Sequence, residues 1–152
     1  MKKLFKLSTL LIAMAMLFNF VACSSFGSVK TALEKAGYEL VEDEDSTAVA
    51  KDAEDDERVT NIHVFSNKNA LSLTQIAKLT VVVVIEFKAT KDLVEFYKEN
   101  DTIKGIVSDI KEDGTADEVY NALKEAGLVH KNCIVAPIGL DAETVLNTIK
   151  EL

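Results

Sequence analysis

Runs of apolar residues divide the chain into a small set of predicted strands. The clearest covers residues 79–87, where the β-branched series from Val81 to Ile85 has no polar interruption. Such a run is typical of a strand that is buried on both faces of a sheet rather than at its edge. Shorter apolar or alternating stretches predict three further strands, at residues 38–41, 59–65 and 128–136. The pattern therefore predicts a sheet of about four strands.

Apolar residues at helical spacing predict the helices that cover this sheet. The spacing of Thr115 and Glu118 is that of a capping box and opens one helix, which Gly127 ends. Asp141 is the expected N-cap of the last helix. Residues 101–110 fit either a strand or an extension of the helix before them. The remaining predicted helical segments are residues 28–36 with Ser28 as the cap, residues 90–100, and one or two turns within residues 69–78.

One short stretch of sequence occurs in two similar copies. Residues 31–38 read TALEKAGY and residues 121–128 read NALKEAGL, and a predicted strand follows each. Both copies fit an ordinary helix exit at glycine, and both also fit a duplicated helix–strand unit that gives two related halves. Either interpretation predicts one α+β domain over residues 29–152, with about four strands in a mixed sheet and helices packed on it.

The first 23 residues have the pattern of an export signal. Three lysines precede an uncharged run over residues 7–22, and the small residue Ala22 stands directly before Cys23. The end of this segment, Phe20-Val21-Ala22-Cys23, resembles the lipobox of bacterial lipoproteins, although Phe20 stands where that family usually has leucine. The resemblance implies that residues 1–22 are a signal peptide that is removed. It also implies that Cys23 is the lipid attachment site and that residues 23–28 form a lipidated cysteine and short tether.

Two other interpretations of this leader remain open. An uncleaved membrane anchor is one, but the run of 16 uncharged residues is shorter than the roughly 20 apolar residues that a span needs. Ordinary cleavage that leaves Cys23 as a free cysteine is the other. The lipoprotein interpretation predicts a bacterial cell-envelope protein, anchored to a membrane with its domain outside the cytoplasm.

The mature chain is strongly acidic. Removing residues 1–22 from 152 leaves 130 residues with 14 basic and 25 acidic side chains, a net charge of −11. This charge repels phosphate backbones, so we expect no nucleic-acid partner. It also gives anionic lipids no polybasic segment to attract, so the membrane contact is expected to depend on the acyl chains of Cys23.

The densest group of acidic residues lies between the first two predicted strands. Nine carboxylates occur within residues 42–57, where Lys51 is the only lysine. The segment has neither the ligand spacing nor the turning glycine of a calcium loop. We therefore expect a mobile, solvated loop rather than a metal site. The nine are Glu42, Asp43, Glu44, Asp45, Asp52, Glu54, Asp55, Asp56 and Glu57.

The other candidates for chemistry predict no catalytic, cofactor or metal site. Cys133 lies in an apolar run and is expected to be buried and inert. His63 and His130 are the two histidines, and His130 with Cys133 three residues later is too small a set for zinc. The sequence has neither a nucleophile elbow nor a phosphate-binding glycine loop.

We therefore expect a lipid-anchored envelope protein that is not an enzyme and acts as a protein- or ligand-binding module. Its partners are the membrane, through Cys23, and possible envelope proteins. Two alternatives stay open: a small extracytoplasmic hydrolase whose site is not readable from the sequence, and a structural spacer. A contiguous exposed apolar patch would favour the binding module.

Overall fold

The computed structural model describes residues 25–41, 47–67 and 79–152, and these residues form an α+β domain. The predicted helical turns within residues 69–78 lie outside the described residues, as does Cys23. The described elements in chain order are α1 (Ser25–Lys35), β1 (Tyr38–Val41), α2 (Ala48–Glu54), β2 (Val59–Asn67), β3 (Val81–Phe87), α3 (Thr90–Glu99), α4 (Asp101–Lys104), α5 (Ala116–Ala126), β4 (Val129–His130), β5 (Cys133–Ile138) and α6 (Ala142–Lys150).

The described strands form one five-stranded sheet in the order β1-β2-β3-β5-β4. Every pair of neighbouring strands is antiparallel, so the expectation of a mixed sheet was wrong. The fifth strand comes from the segment predicted as a single strand at residues 128–136. The backbone turns at Lys131, which has a φ of 53°, so that His130 pairs with Cys133 across a hairpin. The polar residues that interrupt this segment are thus the turn between β4 and β5.

The prediction that β3 is buried on both faces is confirmed. Val82 and Val84 point into one hydrophobic cluster, and Val83 and Ile85 point into another on the opposite face. This division follows from the two-residue period of a strand. Burying each such side chain contributes about 1.5–3 kcal/mol. The central strand therefore binds the two layers of helices together.

The two clusters place different helices on the two faces of the sheet. On one face, α1 contributes Val29 and Leu33 and α6 contributes Val145 and Ile149. On the other face lie buried residues of α2, α3, α4 and α5. A sheet covered on both sides is the result, with three layers of secondary structure.

The acidic segment is in part a helix, and the expectation of a mobile loop over residues 42–57 was wrong for that part. Thr47 caps α2 by accepting a hydrogen bond from the Ala50 amide over 3.1 Å. Val49 and Ala53, four residues apart, are buried against the sheet while the carboxylates face the solvent. Residues 42–46, with four of the nine carboxylates, lie outside the described residues.

Local signals agree with the structure at several other places. The capping box of Thr115 and Glu118 is present at the start of α5. Residues 101–110, left open between strand and helix, contain the short helix α4 and turns. Asp141 is the N-cap of α6, but its side chain makes no capping hydrogen bond. The second predicted strand is present as β2, which contains a bulge between Val59 and Asn61.

The first helix begins earlier than its sequence pattern indicates. Ser28 was expected to cap it, with residues 23–28 as a tether, but α1 already includes Ser25. The described part of the expected tether is therefore helical. Ser24 is the single residue between Cys23 and this helix.

The two similar sequence copies occupy corresponding places in the fold. The first copy is the end of α1 with Gly37 and β1, and the second is the end of α5 with Gly127 and β4. β1 and β4 are the two edges of the sheet, and α1 and α5 pack on its opposite faces. Because all pairings are antiparallel, the two edge strands run in the same direction. The arrangement fits a two-fold rotation about an axis along β3, which would exchange the α1–β1 unit with the α5–β4 unit.

Gly37 and Gly127 end their helices in the same left-handed conformation but differ in how closely other atoms approach them. Gly37 has φ +93° with no atom within 4 Å of an added Cβ, whereas an added Cβ at Gly127, φ +81°, lies 2.8 Å from the Leu146 carbonyl carbon. Gly37→Ala should lower the free energy of unfolding by about 1–2 kcal/mol, because alanine is strained in the left-handed conformation. Gly127→Ala should cost about 1–3 kcal/mol more, because the backbone of α6 must move. Urea denaturation of both variants measures the difference, and equal losses would contradict this account of the packing of α5 on α6.

Candidate functional site

The one site residue predicted from sequence, Cys23, lies outside the described residues, of which Ser25 is the first. The Ser25 hydroxyl donates a hydrogen bond to the Asn132 side-chain oxygen in the turn between β4 and β5. Asn132 in turn donates to the Phe87 carbonyl oxygen over 2.6 Å and is thereby held on β3. The first residue of α1 is thus tied to the central strand through a hairpin turn.

A second contact joins the same helix turn to the sheet. The Phe26 ring stacks on the His63 ring with centroids 3.6 Å apart and planes 14° apart. His63 Nε2 lies 3.3 Å from Glu86 Oε2, which also accepts a hydrogen bond from the Asn61 amide over 3.0 Å. We call the set Ser25, Phe26, His63, Glu86 and Asn132 the N-terminal corner. Its polar groups are engaged with one another, which suits it to hold the start of α1 in place.

Cys133 lies beside this corner and is buried, as expected from its apolar run. Burial raises the pKa of the thiol to about 12, with a further contribution from the Glu86 carboxylate. The Ser25 hydroxyl and Lys131 act in the opposite direction but do not offset this. Because the thiolate is the reactive form, Cys133 is unsuited to nucleophilic chemistry at neutral pH.

His130 is a buried polar residue with an unpaired ring nitrogen. It pairs with Cys133 across the hairpin, is only 9% exposed, and its Nε2 has no hydrogen-bond partner among the described residues. Burial, followed by the charges of Lys131 and Lys124, lowers the pKa of the imidazole. The ring is therefore kept neutral inside the domain. Within residues 25–41, 47–67 and 79–152, no group of three His, Cys, Asp or Glu side chains could hold a metal ion.

Sequence reasoning gave no role to Arg58, the single arginine of the chain. Its guanidinium contacts Asp56 Oδ2 at 2.7 Å and Glu99 Oε2 at 2.6 Å. The hydrogen bond from Arg58 lowers the pKa of Asp56. An open cavity of about 430 Å³ adjoins this group and is also lined by Asp52 and Asp101. Since Arg58 is already bound by two carboxylates, the cavity presents mainly negative charge.

The opposite end of the sheet carries exposed apolar side chains. Leu79, Ile138 and Leu140 are 37%, 40% and 73% exposed. They are neighbours, because Ile138 pairs with Val81 at the start of β3 and the backbone at Gly139 closely approaches the Leu79 carbonyl. We call these three residues the distal apolar patch. The distal apolar patch was not predicted from the sequence, because its members lie at or beyond the ends of β3 and β5, which come together only in the folded sheet.

Comparison with protein-family models, with curated proteins and with solved structures finds no match to this chain. Among the helices that the structure describes, none has the length and apolar character needed to cross a membrane.

The buried imidazole predicts a loss of stability in mild acid. Since the folded state lowers the pKa of His130, the unfolded chain, with a pKa of about 6.5, binds the proton more readily. The free energy of unfolding should be highest above this value and fall as the pH drops through it. Urea denaturation at pH 7.5 and pH 6, above the range near pH 4 in which carboxylates titrate, measures the loss.

His130→Asn should make the loss smaller, and His63→Asn is the matched control that keeps the His130 contribution. An unchanged pH dependence in His130→Asn would contradict the assignment to His130.

Proposed function

We propose that this protein is a lipid-anchored component of a bacterial cell envelope and acts as a non-enzymatic binding module. The leader with Cys23 supports the anchor, since it resembles the lipobox of bacterial lipoproteins. The observation that carries the binding role is the distal apolar patch, whose most exposed member is Leu140 at 73%. An exposed group of large apolar side chains on an acidic domain favours a protein contact over an inert surface.

The groups that an enzyme would use support the same choice. Cys133 is buried with a raised thiol pKa, and Glu86 is engaged by His63 and Asn61. Arg58 is held by Asp56 and Glu99. A catalytic group needs access to a substrate in addition to a perturbed pKa. Each of these described side chains is thus buried or already engaged in hydrogen bonds or ion pairs.

The anchor is tested by intact mass spectrometry of the protein extracted from membranes. We expect a mass equal to residues 23–152 plus acyl groups, and Cys23→Ser should block this processing. The acylated form should need detergent for extraction because two or three chains give a stable anchor. A soluble mature protein that begins at another residue would contradict the proposal.

The binding role is tested by a photo-crosslinking amino acid placed at Leu140 and, as a matched control, at Leu152, which is 46% exposed. We expect a defined envelope protein to be crosslinked in cells from position 140 and not from position 152. Ile138→Asp should reduce the affinity of the purified pair about tenfold or more, because it places a charge in the apolar contact. Equal crosslinking from both positions, or none from either, would favour a spacer.

A further inference from the structure

We propose that the N-terminal corner fixes the orientation of the domain on the membrane, so that the hairpin turn at Lys131 and Asn132 faces the lipid headgroups. The distal apolar patch then points away from the membrane. This inference rests on the proposed lipidation of Cys23. It adds an interaction surface, the corner end of the sheet, and names a layer of phospholipid headgroups as its partner.

The length of the link is the first argument. Ser24 alone separates Cys23 from the first residue of α1. An extended chain spans at most about 3.6 Å per residue, so the Cα atoms of Cys23 and Ser25 are no more than roughly 7 Å apart. Any acyl chains on Cys23 therefore hold the start of α1 within about one headgroup layer of the bilayer core, whose interfacial regions add roughly 5–8 Å on each side.

The contacts of this turn are the second argument, because a short link alone would still allow the domain to rotate about α1. Ser25 and Phe26 are fastened at two points, to Asn132 and to His63. These partners belong to different segments, the β4–β5 turn and β2, and both are tied to β3 through Phe87 and Glu86. The first turn of α1 is thus fixed to the corner end of the sheet, so the domain cannot rotate freely about the link to Cys23.

The direction of the sheet is the third argument. Glu86 pairs with Cys133 at the corner end of β3, and Val81 pairs with Ile138 at the other end. The seven residues of β3 span roughly 23 Å at about 3.3 Å per residue. The distal apolar patch therefore lies far from the anchor. A partner could reach it without competing with the membrane.

Two lysines at the corner end could contact anionic headgroups. Lys131 lies in the hairpin turn and Lys88 directly follows β3. Both are exposed, and neither has an ion-pair partner among the described side chains. A lysine near an anionic bilayer is attracted to its headgroups. The carboxylates that precede β2 lie at the same end, because Val59 pairs with Phe87, so the orientation rests on the short link and on the contacts of α1.

The test uses the lipidated protein extracted from membranes and placed in nanodiscs that contain a gadolinium-chelating lipid. The amide signals of Lys88, Lys131 and Asn132 should lose several-fold more intensity through paramagnetic relaxation than those of Ile138 and Leu140. The double variant Ser25→Ala and Phe26→Ala should even out this difference, because the domain can then rotate. Thr31→Ala, on an exposed face of the same helix, is the matched control and should keep the difference.

Circular dichroism and the melting temperature establish that each variant folds, since Val29 and Leu33 still hold α1 on the sheet. Uniform signal loss in the unaltered protein, or the largest loss at Ile138 and Leu140, would overturn the proposal. If the mass shows no acyl groups, the proposed function fails by that measurement. The orientation is then tested on residues 23–152 coupled at Cys23 to a maleimide lipid, because buried Cys133 does not compete for the reagent.

Discussion

The two-sided burial of β3 is the constraint on which the rest of this structure depends. A strand with valine or isoleucine at each of its first five positions exposes apolar surface on both faces of the sheet. Both faces must then be covered, and the chain does so with α1 and α6 on one side and with α2, α3, α4 and α5 on the other. The antiparallel neighbours β2 and β5 protect the backbone of β3 from water on both sides. The two layers of helices follow from this covering.

The same constraint gives the domain two different ends. Helix α1 must lie along the sheet to cover Val82 and Val84, which brings its first turn to the corner beside Glu86 and its last turn to the opposite end. The N-terminal corner is polar and internally bonded, whereas the distal apolar patch is exposed. Under the proposed lipidation of Cys23, anchoring and binding are therefore separated along the length of one strand. An anchored binding module requires such a separation, because its partner must approach from the aqueous side.

The parts of the fold that were predictable are those with local signals. The β-branched run of β3, the capping box at Thr115 and the glycine exits at Gly37 and Gly127 each depend on neighbours within a few residues, and each is present. Helix α2 was missed because its buried face consists of only Val49, Ala50 and Ala53, and the surrounding carboxylates concealed their spacing. The β4–β5 hairpin was missed because its turn lacks glycine and Lys131 adopts the positive φ instead.

The candidate site was not predictable in the same way. The N-terminal corner joins Ser25 to Asn132 and Phe26 to His63, pairs that are far apart in sequence and meet only when the sheet has formed. Arg58 was the exception that a closer reading could have found, because a single arginine among carboxylates is expected to pair with them. The distal apolar patch depends on strand ends meeting at Val81 and Ile138, which requires the register of the sheet.

Native-state hydrogen exchange tests the central claim most directly. A strand that is paired on both sides and buried on both faces can exchange only when the whole domain unfolds. The amides of Val82 to Ile85 should therefore be the slowest in the chain, and their opening free energy should equal the global free energy of unfolding from urea denaturation. Faster exchange in β3 than in α5, or an opening free energy well below the global value, would show that the two helix layers are not held together by this strand.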